Sequence, residues 1–402
     1  MSAPADSSVE WPHPPEHVGA TNWAEVRRHN PELVDRLAVN MYRSDDVADR
    51  AAADLLAMPG GWRLLDHVLT DVHRYGTEAP ESLQRLLAPL IDPPSWYSPE
   101  VVDAGARAWW RFGSVQAITL YQSLMYGYQS PGLSRPLAMT GRLTSGTSDR
   151  LAETGRWIVT ATAPGGMAPG ARGWAESVRI RMVHALVRRH LLTAQGWDAQ
   201  SWGVPINQSY SALTISGGFL VLPLIVAADL GISYSSAEYE AIAHQWRWIG
   251  FVMGVPDELL PHNYREAQEM FDVAGRFEID PDGNSRTLTD ALLHDGYSLD
   301  ALPAPAARAL KAVATPVLAS LFASISTRWV PPNAARGMGL RRTPAHHLVV
   351  LARQAVRMRE ATRTLGLLGS EDRLVDRELR FVVRNLGRFS TKQTPLRPEA
   401  AA

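Results

Sequence analysis

Chemistry in this 402-residue chain concentrates in the run Trp174 to Leu192, WAESVRIRMVHALVRRHLL. Ile180, Val183, His184, Val187 and Leu191 recur there at helical spacing, so one imidazole falls in the middle of an apolar stripe. Arg181 and Arg188 stand at i−3 and i+4 from His184 and flank it along one edge of the helix. Cations on both sides disfavour imidazolium and keep a nitrogen lone pair available. Neutral imidazole is the form that holds a metal, and a pair of guanidiniums suits the propionates of a dianionic haem. A core histidine that has found a hydrogen-bond partner has the same spacing, and spacing alone leaves both readings open.

A second group lies upstream, where Arg150, Glu153 and Thr154 stand at i, i+3 and i+4 on the helix that leads to Trp157 and Ile158. A cation, a carboxylate and a hydroxyl converging in an apolar setting could hydrogen-bond oxygen or a substrate. An intrahelical Arg150–Glu153 pair beside an ordinary threonine satisfies the pattern equally. Other chemistries lack their carriers: there is no G-x-S-x-G elbow, no P-loop, no strand followed by G-x-G-x-x-G and no H-E-x-x-H. Asp66, His67, Asp71 and His73 read as a solvated helix face, and the adjacent His346 and His347 as structural. With no cysteine, a thiolate metal site, a Cys nucleophile and a thiolate-ligated haem are all excluded.

The elements that must position these residues are helices. Apolar residues recur at three- and four-residue spacing with few alternating β-branched runs, which predicts an all-α fold. Helices are expected near 31–58, 60–75, 80–91, 99–128, 146–162, 172–195, 210–229, 236–254, 262–276, 304–328, 344–368 and 371–388, with stops at Pro59-Gly60-Gly61, Pro164-Gly165-Gly166 and Pro331-Pro332. Ser235-x-x-Glu238 spells a capping box. No internal repeat and no long linker divides the chain. The expected organisation is one large helical domain: a disordered tail over 1–20, an N-terminal helical extension over 21–95, a core over 96–300, a C-terminal helical extension over 301–390 and a loose tail over 391–402.

Forty Lys+Arg against 41 Asp+Glu leave a net charge of −1, so neither nucleic acid nor an anionic lipid surface is broadly attracted. Only Lys311 and Lys392 are lysines, so nearly every cation is a guanidinium able to hold a carboxylate in a fixed fork. The first 20 residues have no apolar signal region, and Arg27-Arg28 is followed by polar residues, which together predict a cytoplasmic protein. The apolar run Ala212 to Ala228 is marginal for a bilayer and reads as a buried core helix, leaving no membrane span.

The stretch from about 105 to 265 resembles the catalytic domain shared by latex clearing proteins (bacterial rubber oxygenases) and the fungal MpaB-type oxygenase. The resemblance is carried, in order, by GYQSPGLSRPLAMTGRL, RLAETGRW with PGG, VRIRMVHALVRRHLL, WGVPINQ and HQWRWIGFVMGVPDELLP. It implies a globin-like helical core that binds haem b and uses O₂ to oxidise a lipophilic substrate. The family's R-x-x-H-x-x-x-R motif falls on Arg181, His184 and Arg188, which implies that His184 is the iron ligand and that the two arginines orient it or meet the propionates. The distal R-x-x-x-T falls on Arg150 and Thr154. Where rubber oxygenases can carry a coordinating lysine just before that threonine, this chain has Glu153, a candidate base by position. With no export signal expected, the resemblance points to an isoprenoid or terpenoid small molecule in place of the polymer. A haem- or lipid-binding carrier without turnover, or a structural member that has lost haem, would use the same helices.

Overall fold

A computed structural model describes residues 22–111, 113–140, 147–193, 196–277, 280–295 and 304–389. The tails expected over 1–20 and 391–402 lie outside the described residues. Every regular element among those described is a helix, as the 3.6-residue periodicity requires.

Two helices form the frame. Thr147–Thr162 and Arg172–Thr193 are joined by the Ala163–Ala171 turn, where Pro164 and Gly165 (φ 72) stop the first helix, and they pack along each other. Trp157 donates its indole N–H to Ser177 Oγ (2.9 Å), and Thr160 Oγ1 donates to Glu176 Oε2 (2.6 Å). These two ties fix an antiparallel register in which residues 157 and 160 face 177 and 176. One turn further from the loop, the same register sets positions 150–154 level with positions 181–185.

Gln208–Asp229 is a continuous helix whose central Thr214–Val221 segment is wound with i→i+5 hydrogen bonding. By length and composition it could cross a membrane, yet 67% of its apolar window is buried against the rest of the protein. Phe219 from this segment stacks on Trp246 (5.7 Å) and meets Trp157 edge-on (5.5 Å). Trp246 belongs to Ser236–Val252, which begins with the expected Ser235/Glu238 capping box. That helix packs on Pro99–Trp110, whose Trp110 donates to buried Thr162 Oγ1 (2.9 Å).

Several expected helices are interrupted. The 31–58 stretch is two helices, Pro31–Asn40 and Asp46–Ala57, because Asp45 leaves the helical region and its side chain accepts from Ala48 N–H to cap the second. The 60–75 stretch breaks at Asp71, which caps Val72–Tyr75. The 99–128 stretch becomes Pro99–Trp110 and Gly113–Gly127. Trp23–His29, Pro131–Met139 and Gly283–Asp295 are helices beyond those expected. The N-terminal helices pack directly on the frame, with Asp46–Ala57 lying against Arg172–Thr193.

Candidate functional site

Arg172–Thr193 buries a different face from the one its hydrophobic pattern suggests. Trp174, Val178, Arg181, Met182, Ala185 and Arg188 are buried, whereas Ile180, Val183, His184 and Val187 are only half-buried. Of the expected stripe, Leu191 alone is in the core. The physical reason is that both arginines have carboxylate partners waiting inside the protein. Arg181 forks onto Asp45, with Nε to Oδ2 at 2.6 Å and Nη2 to Oδ1 at 3.0 Å. Arg188 Nε contacts both oxygens of Asp49 (2.9 and 3.0 Å), and Nη1 donates to the Ile206 carbonyl (2.8 Å). Arg188 Nη2 lies 2.7 Å from Asp49 Oδ1 and completes the charge contact.

His184 shares a cleft with these groups. Asp45, Arg181, Arg188, Ile206, Gln208, Ser211, Met253 and Gly254 line it together with the imidazole. The WGVPINQ segment supplies its far wall through a strained residue: Ile206 has φ 51, the single positive φ outside glycine among the described residues. A β-branched residue is rarely held there, and strain of this kind gathers at sites where backbone direction matters. Arg188 holds the Ile206 carbonyl from one side, and Asn207 accepts from Tyr210 N–H (2.9 Å) to start the next helix. Gly254 (φ 90) ends Ser236–Val252 and brings the MGVP turn against the Asp45–Arg181 pair.

The structure thus brings Arg181, His184 and Arg188 to one place. Glu153 and Thr154 are half-buried on Thr147–Thr162 and do not line this cleft; by register they stand level with the Ile180–His184 turn of the neighbouring helix. Arg150 lies in the same helix, but its side chain is outside the described residues. Asp45 and Asp49 are the contributors that the sequence reading did not reach. Their one local signal is Ser44-Asp45, a helix-start pair buried inside what otherwise reads as a single long helix.

The set-aside histidines have structural partners. His67 meets the Tyr75 ring at a tilt (4.1 Å) beside Glu78, Asp66 takes Arg179 (2.8 Å), and His346 and His347 meet at a tilt (3.9 Å). Among the described residues, no three His, Asp or Glu side chains gather as a metal site.

Residues 109–361 match the catalytic domain described as ER-bound oxygenase mpaB/B'/Rubber oxygenase. The chain belongs to this family. Rubber oxygenase from Streptomyces sp. (strain K30) is 26% identical over 182 residues, and the chain spans 43% of that relative's length in the match. Latex clearing protein, solved in its closed state, superposes with a TM-score of 0.61 at 18% identity, covering 86% of this chain and 91% of that one. That likeness is one of fold, and it covers more of the chain than the family match does. The family match contains the hairpin, the Ile206 turn and Gly254, and begins after Asp45, Asp49 and Asp66.

Proposed function

We propose that this protein is a haem-b-dependent oxygenase acting with O₂ on a lipophilic small molecule of isoprenoid type, with His184 as the protein ligand to iron. The observation that carries the reading is the hairpin. It is closed by Trp157–Ser177 and Thr160–Glu176 at the loop end. Beyond that, Ile180, Val183, His184 and Val187 on one helix and Glu153 and Thr154 on the other are all half-buried. An apolar strip with one central imidazole is the donor set a porphyrin needs, because the macrocycle supplies the other iron ligands. Arg181 and Arg188 are committed to Asp45 and Asp49, so of the two roles the resemblance implies for them, orienting the ligand is favoured over meeting propionates.

Haem, when bound, supplies the iron centre at which O₂ chemistry takes place. The protein's own groups do the rest. His184 would hold the iron through one ring nitrogen. Thr154 would donate a hydrogen bond, and Glu153 would serve as the base, towards an oxygen bound between the helices. The apolar residues of the strip keep water away from a lipophilic substrate. Arg150, level with His184 by register, would add a positive charge towards oxygen.

The test is an absorption spectrum of the purified chain, before and after dithionite and CO, with a pyridine haemochrome assay. A stoichiometric b-type Soret band that shifts with CO and is lost in His184→Ala is expected. No Soret band after reconstitution overturns the reading, as does full haem retention by His184→Ala. Haem binding without O₂-dependent turnover of any isoprenoid tested would instead identify a carrier built on the same helices.

A further inference from the structure

Three arginines of the His184 helix meet three aspartates of the N-terminal helices: Arg181 with Asp45, Arg188 with Asp49, and Arg179 with Asp66. Asp45 and Asp49 are one helical turn apart at the start of Asp46–Ala57, and Arg181 and Arg188 are two turns apart on their own helix. The two pairs therefore bracket His184 from a single carboxylate edge. The Asp45–Arg181 pair is sealed, with side chains 11% and 10% exposed, while Arg188 is 2% exposed against a half-exposed Asp49 at 32%.

We propose that Asp45 and Asp49 are positioning residues for His184: they compensate the two guanidinium charges beside it and lock its helix to the N-terminal helices, so that the ligand edge carries no net charge. This rests on the reading of His184 as the iron ligand. Without the carboxylates, two buried cations would stand beside the iron site, where low dielectric makes each charge count for more than in water. Uncompensated positive charge beside a haem favours its reduced state, and hydrogen bonding around the ligand is an established lever on potential. The same ties fix the helix mechanically. Arg188 also carries the Ile206 carbonyl, so Asp49 steadies the strained turn at one remove.

The experiment uses the full chain with Asp45→Asn, Asp49→Asn, Arg181→Gln, Arg188→Gln, the neutral doubles Asp45→Asn/Arg181→Gln and Asp49→Asn/Arg188→Gln, and Asp49→Glu, which keeps the charge. In the haem-loaded protein, the Asp→Asn variants should move the midpoint potential up and the Arg→Gln variants down. The neutral doubles and Asp49→Glu should return towards the parent. A purely structural role gives no such opposed signs, so shifts of one sign throughout, or none, overturn the charge-compensation claim. In the haem-free protein, Asp45→Asn and Asp49→Asn should speed amide hydrogen exchange tenfold or more over residues 178–190. Unchanged exchange overturns the clamp. If the parent takes up no haem, the function proposed above fails by itself, and the exchange measurement still decides whether the clamp exists.

Discussion

Gly254→Ala tests the convergence on the His184 cleft at its tightest point. Gly254 closes the Ser236–Val252 helix with two hydrogen bonds, Val255 N–H to Gly250 O and Gly254 N–H to Phe251 O, both 3.0 Å. That pairing is a Schellman ending and demands a left-handed residue, here φ 90. An alanine costs about 1–2 kcal/mol for the backbone alone. Its Cβ would also lie within 3.0 Å of Asp45 Oδ2 and of Arg181 Nε, the two atoms of the 2.6 Å contact. Neither partner can yield freely, since Asp45 Oδ1 also caps Ala48 N–H (3.1 Å) and Arg181 is forked. Losing one charge-assisted hydrogen bond adds about 1.5–3 kcal/mol, so the whole effect should be roughly 2.5–5 kcal/mol. Urea unfolding of Gly254→Ala in the parent and in an Asp45→Ala background separates the two parts. With the carboxylate gone Arg181 is released from its fork and can move off the methyl, and only the backbone cost of about 1–2 kcal/mol should remain. Equal costs in both backgrounds would refute the idea that this glycine exists to admit the ion pair.

Three further outcomes are expected. Thr162→Val keeps the shape of the side chain but leaves the Trp110 indole N–H buried without its acceptor, and should cost about 1–3 kcal/mol by urea unfolding; a cost below that range would mean the hydrogen bond is not needed. Burial and the Arg247 charge hold the His244 imidazole below its usual range, and its Nε2 accepts from Ser98 N–H (3.3 Å). The unfolded chain therefore binds a proton near pH 6.5 that the folded chain refuses, so stability should fall as pH drops below about 6.5 and level off below the folded value. His244→Gln should flatten that slope, and an unchanged slope assigns the acid sensitivity elsewhere. A chain starting at residue 96 should show rapid exchange over residues 178–190 and fail to retain haem, because Arg179, Arg181 and Arg188 lose their partners; a stable, haem-binding truncation would contradict this.

The hairpin was legible because its turn is written in Pro164-Gly165-Gly166 and its helices in unbroken periodicity, and Ser235/Glu238 announced its cap through purely local hydrogen bonds. The break at Asp45 was not, because Leu37, Met41, Ala48, Ala52 and Leu55 stay in helical phase straight through it. Periodicity records which side faces the core and is blind to a turn that preserves that side. The buried face of the His184 helix is hidden from the sequence for a related reason. A hydrophobic pattern counts Arg181 and Arg188 as polar and turns them outward, whereas carboxylates 136 and 139 residues away turn them inward. Glu153 and Thr154 could be placed on one helix face from sequence; their level relative to His184 required the Trp157–Ser177 tie.

The near-zero net charge now has a different meaning. A chain with 40 cations and 41 anions could scatter them over its surface, where each pair contributes little. Here three arginines of the helix that carries His184 are matched to three aspartates from another part of the chain, and the two that flank it are themselves buried against those partners. A buried pair of this sort adds little stability over apolar packing, but removing one partner is costly. Such pairs therefore specify which helix lies where more than they add to stability. The boundary drawn by family likeness, residues 109–361, consequently cuts through the ion pairs that orient the proposed ligand. If the clamp proposed above holds, the unit that fixes the His184 helix begins no later than Asp45.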